Sequence, residues 1–113
     1  MAAQLVDLHL HSTFSDGRYT PTMLVDEAVA KGIGVIAITD HDSWNGMAEA
    51  REAAKRYGGR IRVLTGVELG TQYEDDAVHI LGYHVSMNCE ALHKKMDEMR
   101  HAREHRLYAM LEK

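Results

Sequence analysis

The sequence is poor in residues that cross-link a chain or break its regular structure. It has one cysteine, Cys89, and one proline, Pro21, in 113 residues. A single cysteine excludes an internal disulfide and fits a reducing compartment such as the cytoplasm. No apolar stretch is long enough to cross a membrane, and the first residues lack the basic segment and apolar run of a signal peptide.

The chain also lacks an excess of positive charge. Its formal net charge is −4, which excludes bulk nucleic-acid binding driven by electrostatics but not a small phosphorylated substrate held by metal ions. The length predicts one domain or part of one, and 45% hydrophobic residues are ordinary for a globular protein. Eight histidines, in contrast, are many for this length, and they direct attention to metal binding.

Hydrophobic periodicity predicts an alternation of strands and helices. Thr20 and Pro21 are typical of a helix start, and Gly32 is typical of a helix end. The last two predicted strands are joined by a connection too short for a helix, so we expect them to be antiparallel. This order predicts an α/β fold with parallel strands at its centre. The predicted strands cover residues 5–9, 35–39, 61–69 (with a possible break at Gly66) and 77–83, and the predicted helices cover residues 20–32, 44–57 and 87–113.

The stretch DLHLHSTFSDG places two histidines at the end of the first predicted strand. Side chains two apart in a strand lie on the same face, so His9 and His11 can point at one spot. Two neutral imidazoles directed at one point suit a transition-metal ion. The pair alone is equally compatible with polar residues where a strand frays into a loop.

Further candidate ligands follow the other predicted strands. Parallel α/β sheets build their sites at the carboxyl ends of their strands, and most of these residues occupy such positions. Carboxylates offset the charge of cations and can bridge two ions, while two ions about 3.5–4 Å apart can clamp a phosphate. Together with His9 and His11, the predicted site for more than one metal contains Asp16, His41, Glu68 and His79.

Three other aspartates lie next to these candidates. Asp7, Asp40 and Asp42 are predicted to orient imidazoles through the second ring nitrogen. The alternative is helix capping and loop solvation, which for Asp42 is equally compatible with the sequence.

Several motifs in order resemble those of the PHP (polymerase and histidinol phosphatase) superfamily, and most closely those of its stand-alone phosphoesterases. They are DLHLHSTFSDG, ITDHDSWNG, GVELG and VHILGYH. The resemblance implies a distorted (β/α)7, TIM-like barrel (the PHP fold) with two or three zinc, manganese or iron ions. It also implies phosphoester hydrolysis by a metal-bound hydroxide, without a side-chain nucleophile. Nucleotides or short oligonucleotides are the expected substrates, and histidinol phosphate is another.

Carried over by position, the resemblance implies a role for each candidate ligand. His9 and His11 would bind one metal, and Glu68 would bridge it to a second. His79 would hold that second metal, while Asp16 and His41 would bind a third.

Complete PHP proteins continue with another histidine motif and a late Asp-x-His motif. Residues 1–113 therefore resemble the amino-terminal half of the barrel, a partial PHP domain. Within it, residues 86–113 resemble the helix that leads to an inserted subdomain. The exposed edges of a half-barrel favour pairing with a missing carboxyl-terminal half or with a second copy.

Other interpretations stay open at this stage. An amidohydrolase that cleaves C–N bonds also begins with His-x-His, although these enzymes often carry a bridging lysine that no predicted strand end offers here. A metal-binding fragment without turnover is the other alternative. On the last helix, His101 and His105 with Asp97 could bind metal. Arg100, Arg103 and Arg106 could reach a substrate phosphate. A charged surface explains both sets more simply.

Overall fold

The structure, a computed structural model, describes residues 4–111. Strands and helices alternate along the chain as predicted, so the α/β class is confirmed. The elements are β1 (Leu5–Leu10), α1 (Pro21–Ala30), β2 (Ile33–Ile38), α2 (Met47–Lys55), a 3-10 turn (Gly58–Arg60), β3 (Arg62–Tyr73), β4 (Asp76–Tyr83) and α3 (Glu90–Leu111).

The four strands form one sheet in the order β1-β2-β3-β4. The pairs β1–β2 and β2–β3 are parallel and are joined through α1 and α2, whereas β3–β4 is the expected antiparallel pair. The sheet is curled, as one hydrogen bond between its outer strands shows. The Tyr83 hydroxyl of β4 donates to the Leu8 carbonyl of β1 over 2.6 Å. In a flat sheet these outer strands would lie roughly 14 Å apart, beyond the reach of a tyrosine.

The predicted break at Gly66 is wrong, because β3 runs through this residue without interruption. What changes there is the partner: β3 pairs with β2 up to Thr65 and with β4 from Gly66 onward. A Cβ at Gly66 would lie 2.8 Å from Cγ2 of Thr39, so only glycine fits at this crossing. The second ladder carries β3 past the predicted end at residue 69.

Helix α1 begins as predicted. The Thr20 side chain accepts a hydrogen bond from the Met23 amide, and Pro21 occupies the first turn. Gly32, at φ +75°, follows the end of the helix. The apolar face of α1 packs with α2 and β2 in a main core formed by Val25, Ala28, Ile36, Ile38, Ala50, Ala53, Ala54 and Ile61.

Helix α2 begins at Met47, so its predicted start at Trp44 is wrong. Asp42 takes a positive φ of 48°, and the Ser43 hydroxyl accepts a hydrogen bond from the Asn45 amide. The resulting turn buries the Trp44 ring instead of placing it in a helix. Trp44 joins a second core, which contains Met47, Val67 and Met96.

Helix α3 contributes Met96 to this second core, and its last turns are exposed to solvent. The helix begins at Glu90, three residues later than expected, after a turn in which the Cys89 amide donates to the Ser86 carbonyl. Within residues 4–111, no helix is long and apolar enough to cross a membrane. That α3 leads to an inserted subdomain stays a prediction.

Candidate metal centre

The six predicted ligands come from every strand of the sheet and meet at one place. His9 lies in β1, His41 follows β2, Glu68 lies in β3 and His79 lies in β4. His11 and Asp16 belong to the loop after β1 and approach the same place. Because the carboxyl ends of β1 and β2 lie beside β3, residues far apart in sequence share one edge of the sheet.

Glu68 is the centre of this arrangement. Its side chain is almost fully buried, at 5% exposure, and its two oxygens face different histidines. Oε1 lies 2.7 Å from Nε2 of His9 and 3.4 Å from Nε2 of His11. Oε2 lies 2.9 Å from Nδ1 of His41 and 3.1 Å from Nδ1 of His79. One carboxylate therefore contacts two pairs of imidazoles, one pair through each oxygen.

Asp16 connects two of these imidazoles, those of His11 and His41. Its Oδ1 lies 2.6 Å from Nδ1 of His11, and its Oδ2 lies 3.1 Å from Nε2 of His41. Potential ligand atoms within 4.8 Å of one another form three overlapping groups: His9, His11 and Glu68; His11, Asp16 and His41; and His41, Glu68 and His79.

Backbone pairing fixes Glu68 and His41 relative to each other. The Glu68 amide donates to the Asp40 carbonyl over 3.0 Å, and the Asp42 amide donates to the Glu68 carbonyl over 2.9 Å. His41 thus continues the parallel pairing of β2 and β3 beyond the end of β2. This bridge brings the two side chains to the same edge.

The prediction that Asp40 orients an imidazole is wrong. Asp40 is 1% exposed and accepts hydrogen bonds from the Ser12 amide and hydroxyl, both at 2.6 Å, and from the Ser15 hydroxyl at 2.8 Å. It anchors the loop between His11 and Asp16. The serines of the STFS segment were a signal for this role, since their hydroxyls can donate to a buried carboxylate.

Asp42 and Asp7 do not orient imidazoles either, and Asp42 does not cap α2. The Asp42 carboxylate, also 1% exposed, accepts from the Gly70 amide at 3.0 Å and from the Arg103 guanidinium. Its backbone carbonyl accepts from Arg100 at 2.6 Å. Asp7 accepts from the His9 amide at 3.2 Å. Two arginines of α3 therefore hold the residue next to His41.

The surroundings keep both ligand carboxylates ionised. Burial alone would raise the pKa of Glu68, but the hydrogen bond with His9 and the nearby His41, His11 and His79 rings lower it below its ordinary value. Burial would likewise raise the pKa of Asp16, but its hydrogen bond with His11 and the nearby His41 and His11 rings lower it below its ordinary value. Ionised carboxylates and imidazole nitrogens are the donors that divalent transition metals prefer.

The second predicted cluster, on α3, does not form in the described part of the chain. His101 and His105 are exposed and belong to none of the three ligand groups. Asp97 forms an ion pair with Arg100 instead. For these histidines, the interpretation as a charged surface fits the structure better.

The curled sheet gathers four histidines and two carboxylates at one edge. This arrangement defines a metal-binding α/β domain. The family model of the PHP domain matches residues 7–112, and the chain belongs to this family. The motif resemblance and the fold that it implied are confirmed.

Comparisons with individual proteins agree with this assignment. The chain is 47% identical over 90 residues to a 5'-3' exoribonuclease of Haemophilus influenzae, covering 80% of this chain and 31% of that protein. It is 41% identical over 98 residues to a 3',5'-nucleoside bisphosphate phosphatase of Chromobacterium violaceum, covering 87% of this chain and 34% of that protein. A solved structure described as a metal-dependent phosphoesterase of Bifidobacterium adolescentis superimposes with a TM-score of 0.86 at 37% identity, covering 94% of this chain and 36% of that one. The chain thus spans about a third of the length of these relatives.

Proposed function

We propose that this chain is part of a metal-dependent phosphoesterase that acts on nucleotides or short oligonucleotides. The observation that carries the proposal is the division of four imidazoles between the two oxygens of buried Glu68. The names of the relatives support the substrate class, since two of them act on RNA or on a nucleoside bisphosphate.

The donor set fits divalent metal ions. In the proposed assignment, His9 and His11 with Glu68 hold one ion, Glu68 with His79 holds a second, and Asp16 with His41 holds a third. The three groups in the structure contain three potential ligand atoms each, but they share His11, His41 and Glu68, so six residues serve all the ions of the assignment. The ions are proposed to be zinc, manganese or iron, two or three per site, because these accept mixed nitrogen and oxygen donors.

The chain's own residues prepare the site for a phosphate. When bound, the ions would activate a water molecule and stabilise negative charge on the phosphate oxygens. Glu68 and Asp16 offset the charge of the cations, while half-exposed His9 and His79 leave one side of the centre open. A cavity of about 430 Å³ adjoins this side and is lined by Ser15, Asp16, His41, His79 and Arg103.

The one cysteine, Cys89, lies outside the lining of this cavity, and the proposal assigns no side-chain nucleophile. An amidohydrolase-like C–N hydrolase is not favoured, because within residues 4–111 every lysine lies on or directly after a helix and none follows a strand. As part of the same proposal, the chain works in the cytoplasm, where a free thiol stays reduced.

Elemental analysis of the purified protein tests the metal assignment. We expect bound transition metal in the wild type and a large loss in His9→Ala and Glu68→Ala. The matched control is His101→Ala, which removes an exposed imidazole outside the ligand groups and should retain the metal. Unchanged metal content in both ligand variants would overturn the assignment.

Hydrolysis assays with added manganese test the activity. A panel of a nucleoside bisphosphate, a short oligoribonucleotide and histidinol phosphate should show turnover of the first two. Bound metal without hydrolysis of any member would favour a non-catalytic metal-binding fragment. Turnover of histidinol phosphate alone would refute the nucleotide assignment.

A further inference from the structure

The part of β1 that carries His9 is irregular. The step from Asp7 to Leu10 is one residue longer than the step of β2 that it faces, so β1 forms a bulge there. Leu8 and His9, which lie inside this bulge, have no paired residue in β2. A bulge bends its strand and changes the direction of a side chain. The position of His9 therefore depends on what else holds the bulge.

Strand pairing holds the other ligands that lie in or next to the strands. Glu68 and His79 both have partners in the ladder between β3 and β4. His41 forms a bridge with Glu68. The side chain of His9 is 54% exposed, so packing restrains it little, and yet its Nε2 lies 2.7 Å from Oε1 of Glu68. His9 is thus the strand ligand whose position neither pairing nor burial explains.

Tyr83 holds the bulge from the opposite edge of the curled sheet. Its hydroxyl donates to the Leu8 carbonyl over 2.6 Å, the only hydrogen bond between β1 and β4 among residues 4–111 as described. The Leu8 carbonyl and the His9 amide belong to one peptide unit, so this bond acts on the backbone of His9. Tyr83 faces the same side of β4 as His79, four residues earlier. Opposite Tyr83 in β3 is Gly66, which has no side chain to stand between the Tyr83 ring and β1.

The other described contact of this peptide unit is local. The His9 amide donates to Oδ1 of Asp7 over 3.2 Å. Asp7 precedes His9 by two residues in the same strand, so this bond shapes the bulge without connecting it to the rest of the sheet. The Tyr83 hydroxyl supplies that connection, and it does so from the strand that carries His79.

We infer that Tyr83 is a positioning residue of the metal centre, whose hydroxyl fixes the bulge of β1 and so directs His9 at Glu68. This inference rests on the proposed function and adds a residue to it. Tyr83 acts through the Leu8 carbonyl and is not itself a metal ligand. Without the hydroxyl, the ion assigned to His9 keeps only His11 and Glu68 as firmly placed ligands.

Cobalt binding to the metal-free chain tests the inference. Cobalt(II) accepts mixed nitrogen and oxygen ligands, and its visible absorption changes with the coordination geometry. Tyr83→Phe removes one oxygen atom. It should weaken cobalt binding about tenfold, as expected for a group that orients a ligand, and it should change the absorption spectrum. Tyr73→Phe is the matched control, because the hydroxyl of this exposed tyrosine in β3 has no hydrogen bond among the described residues; it should bind cobalt like the wild type.

A double-mutant cycle separates positioning from a general loss of stability. In a His9→Ala background the hydroxyl has no ligand left to direct, so adding Tyr83→Phe should weaken cobalt binding no further. The inference is overturned if Tyr83→Phe alone leaves cobalt binding unchanged. It is also overturned if the tyrosine substitution weakens binding equally with and without His9.

Nuclear magnetic resonance of the metal-free chain gives a readout that does not depend on the metal. The amide nitrogen resonance of His9 should shift in Tyr83→Phe and not in Tyr73→Phe, because the Leu8 carbonyl of the same peptide unit loses its donor. This shift in a chain that binds no cobalt would support the hold on the bulge and refute the metal assignment. Cobalt binding of wild-type strength in Tyr83→Phe would refute the positioning role alone.

Discussion

Two pairs of carboxylates lie near His41 in opposite surroundings. We call Asp40 and Asp42 the lower pair and Glu68 and Asp16 the upper pair. The lower pair, Asp40 and Asp42, is buried and accepts hydrogen bonds from amides, hydroxyls and a guanidinium. The upper pair, Glu68 and Asp16, faces only ring nitrogens among its side-chain partners within 3.2 Å. The partners, and not the residue type, separate a carboxylate that holds a loop from one that can hold an ion.

The largest expected effect is on metal binding by the upper pair. Glu68→Gln preserves the shape of the side chain but removes the charge, and one oxygen becomes an amide nitrogen. Because its two oxygens serve two ligand groups, we expect metal affinity to fall by more than about 100-fold, the upper range for a residue that only orients a ligand. Titration of the metal-free protein with zinc or manganese measures this.

The fold should be retained in that variant, since the metal-free wild type also lacks the ions. A circular dichroism spectrum that differs from that of the wild type would mean that Glu68 also stabilises the fold, as the lower pair does. That result would break the distinction between the two pairs.

The next effect is on stability and belongs to the lower pair. Asp40→Ala removes the acceptor for three hydrogen bonds and leaves the buried Ser12 amide without its partner. We expect the free energy of unfolding to fall by about 3 kcal/mol, as for loss of a buried hydrogen-bonded charge. Urea unfolding of the metal-free chain is the measurement. Asp76→Ala, at an exposed position in β4, is the control and should change stability little.

A smaller effect tests how Asp40 holds the loop between His11 and Asp16. Ser15→Ala removes one of the three donors to Asp40 while the Ser12 contacts remain. The expected loss is about 1 kcal/mol, the net worth of one hydrogen bond. Ser86→Ala, in the turn before α3, controls for the loss of an exposed hydroxyl whose one described side-chain contact is a long hydrogen bond of 3.4 Å from the Asn88 amide. A loss as large as that of Asp40→Ala would show that Ser15 alone secures the loop.

The smallest effect is the pH dependence of the upper pair in the metal-free chain. The pKa of Glu68 is lowered in the folded state, so its contribution to stability is fully present above the ordinary carboxyl pKa of about 4.3. The contribution is lost as the pH falls through the lowered pKa. The stability difference between the wild type and Glu68→Gln should therefore shrink as the pH falls below the ordinary carboxyl pKa. Urea unfolding across this pH range measures it; a difference that grows on acidification would contradict the sign of the shift.

Local pattern and strand order were sufficient to predict that Glu68 lies beside His9, His11 and His41. Strand periodicity places His9 and His11 on one face, and in the structure the Nε2 atoms of both rings meet Oε1 of Glu68. The convergence of His41 and Glu68 followed from the rule that parallel strands end at one edge. Both arguments depend on local pattern and strand order, which a sequence reveals.

The lower pair could not be predicted in this way. Asp40 is bonded to serines 25 and 28 residues away, and Asp42 is bonded to an arginine 61 residues away. These partners are set by the conformation of loops and by the docking of α3, which no local periodicity encodes. The same cause explains the error at the start of α2, where the positive φ of Asp42 and the burial of Trp44 override helix propensity.

The exchange of partners along β3 has a consequence for the choice of ion. Glu68 lies where the strand is hydrogen-bonded to the His41 segment on one side and to β4 on the other, so its backbone has little freedom. The His9 and His79 rings are more than half accessible and can rotate. A centre built from one rigid donor and several adjustable ones tolerates cations of different radius. The metal supply of the cell then decides, more than the fit of the site, which element is bound.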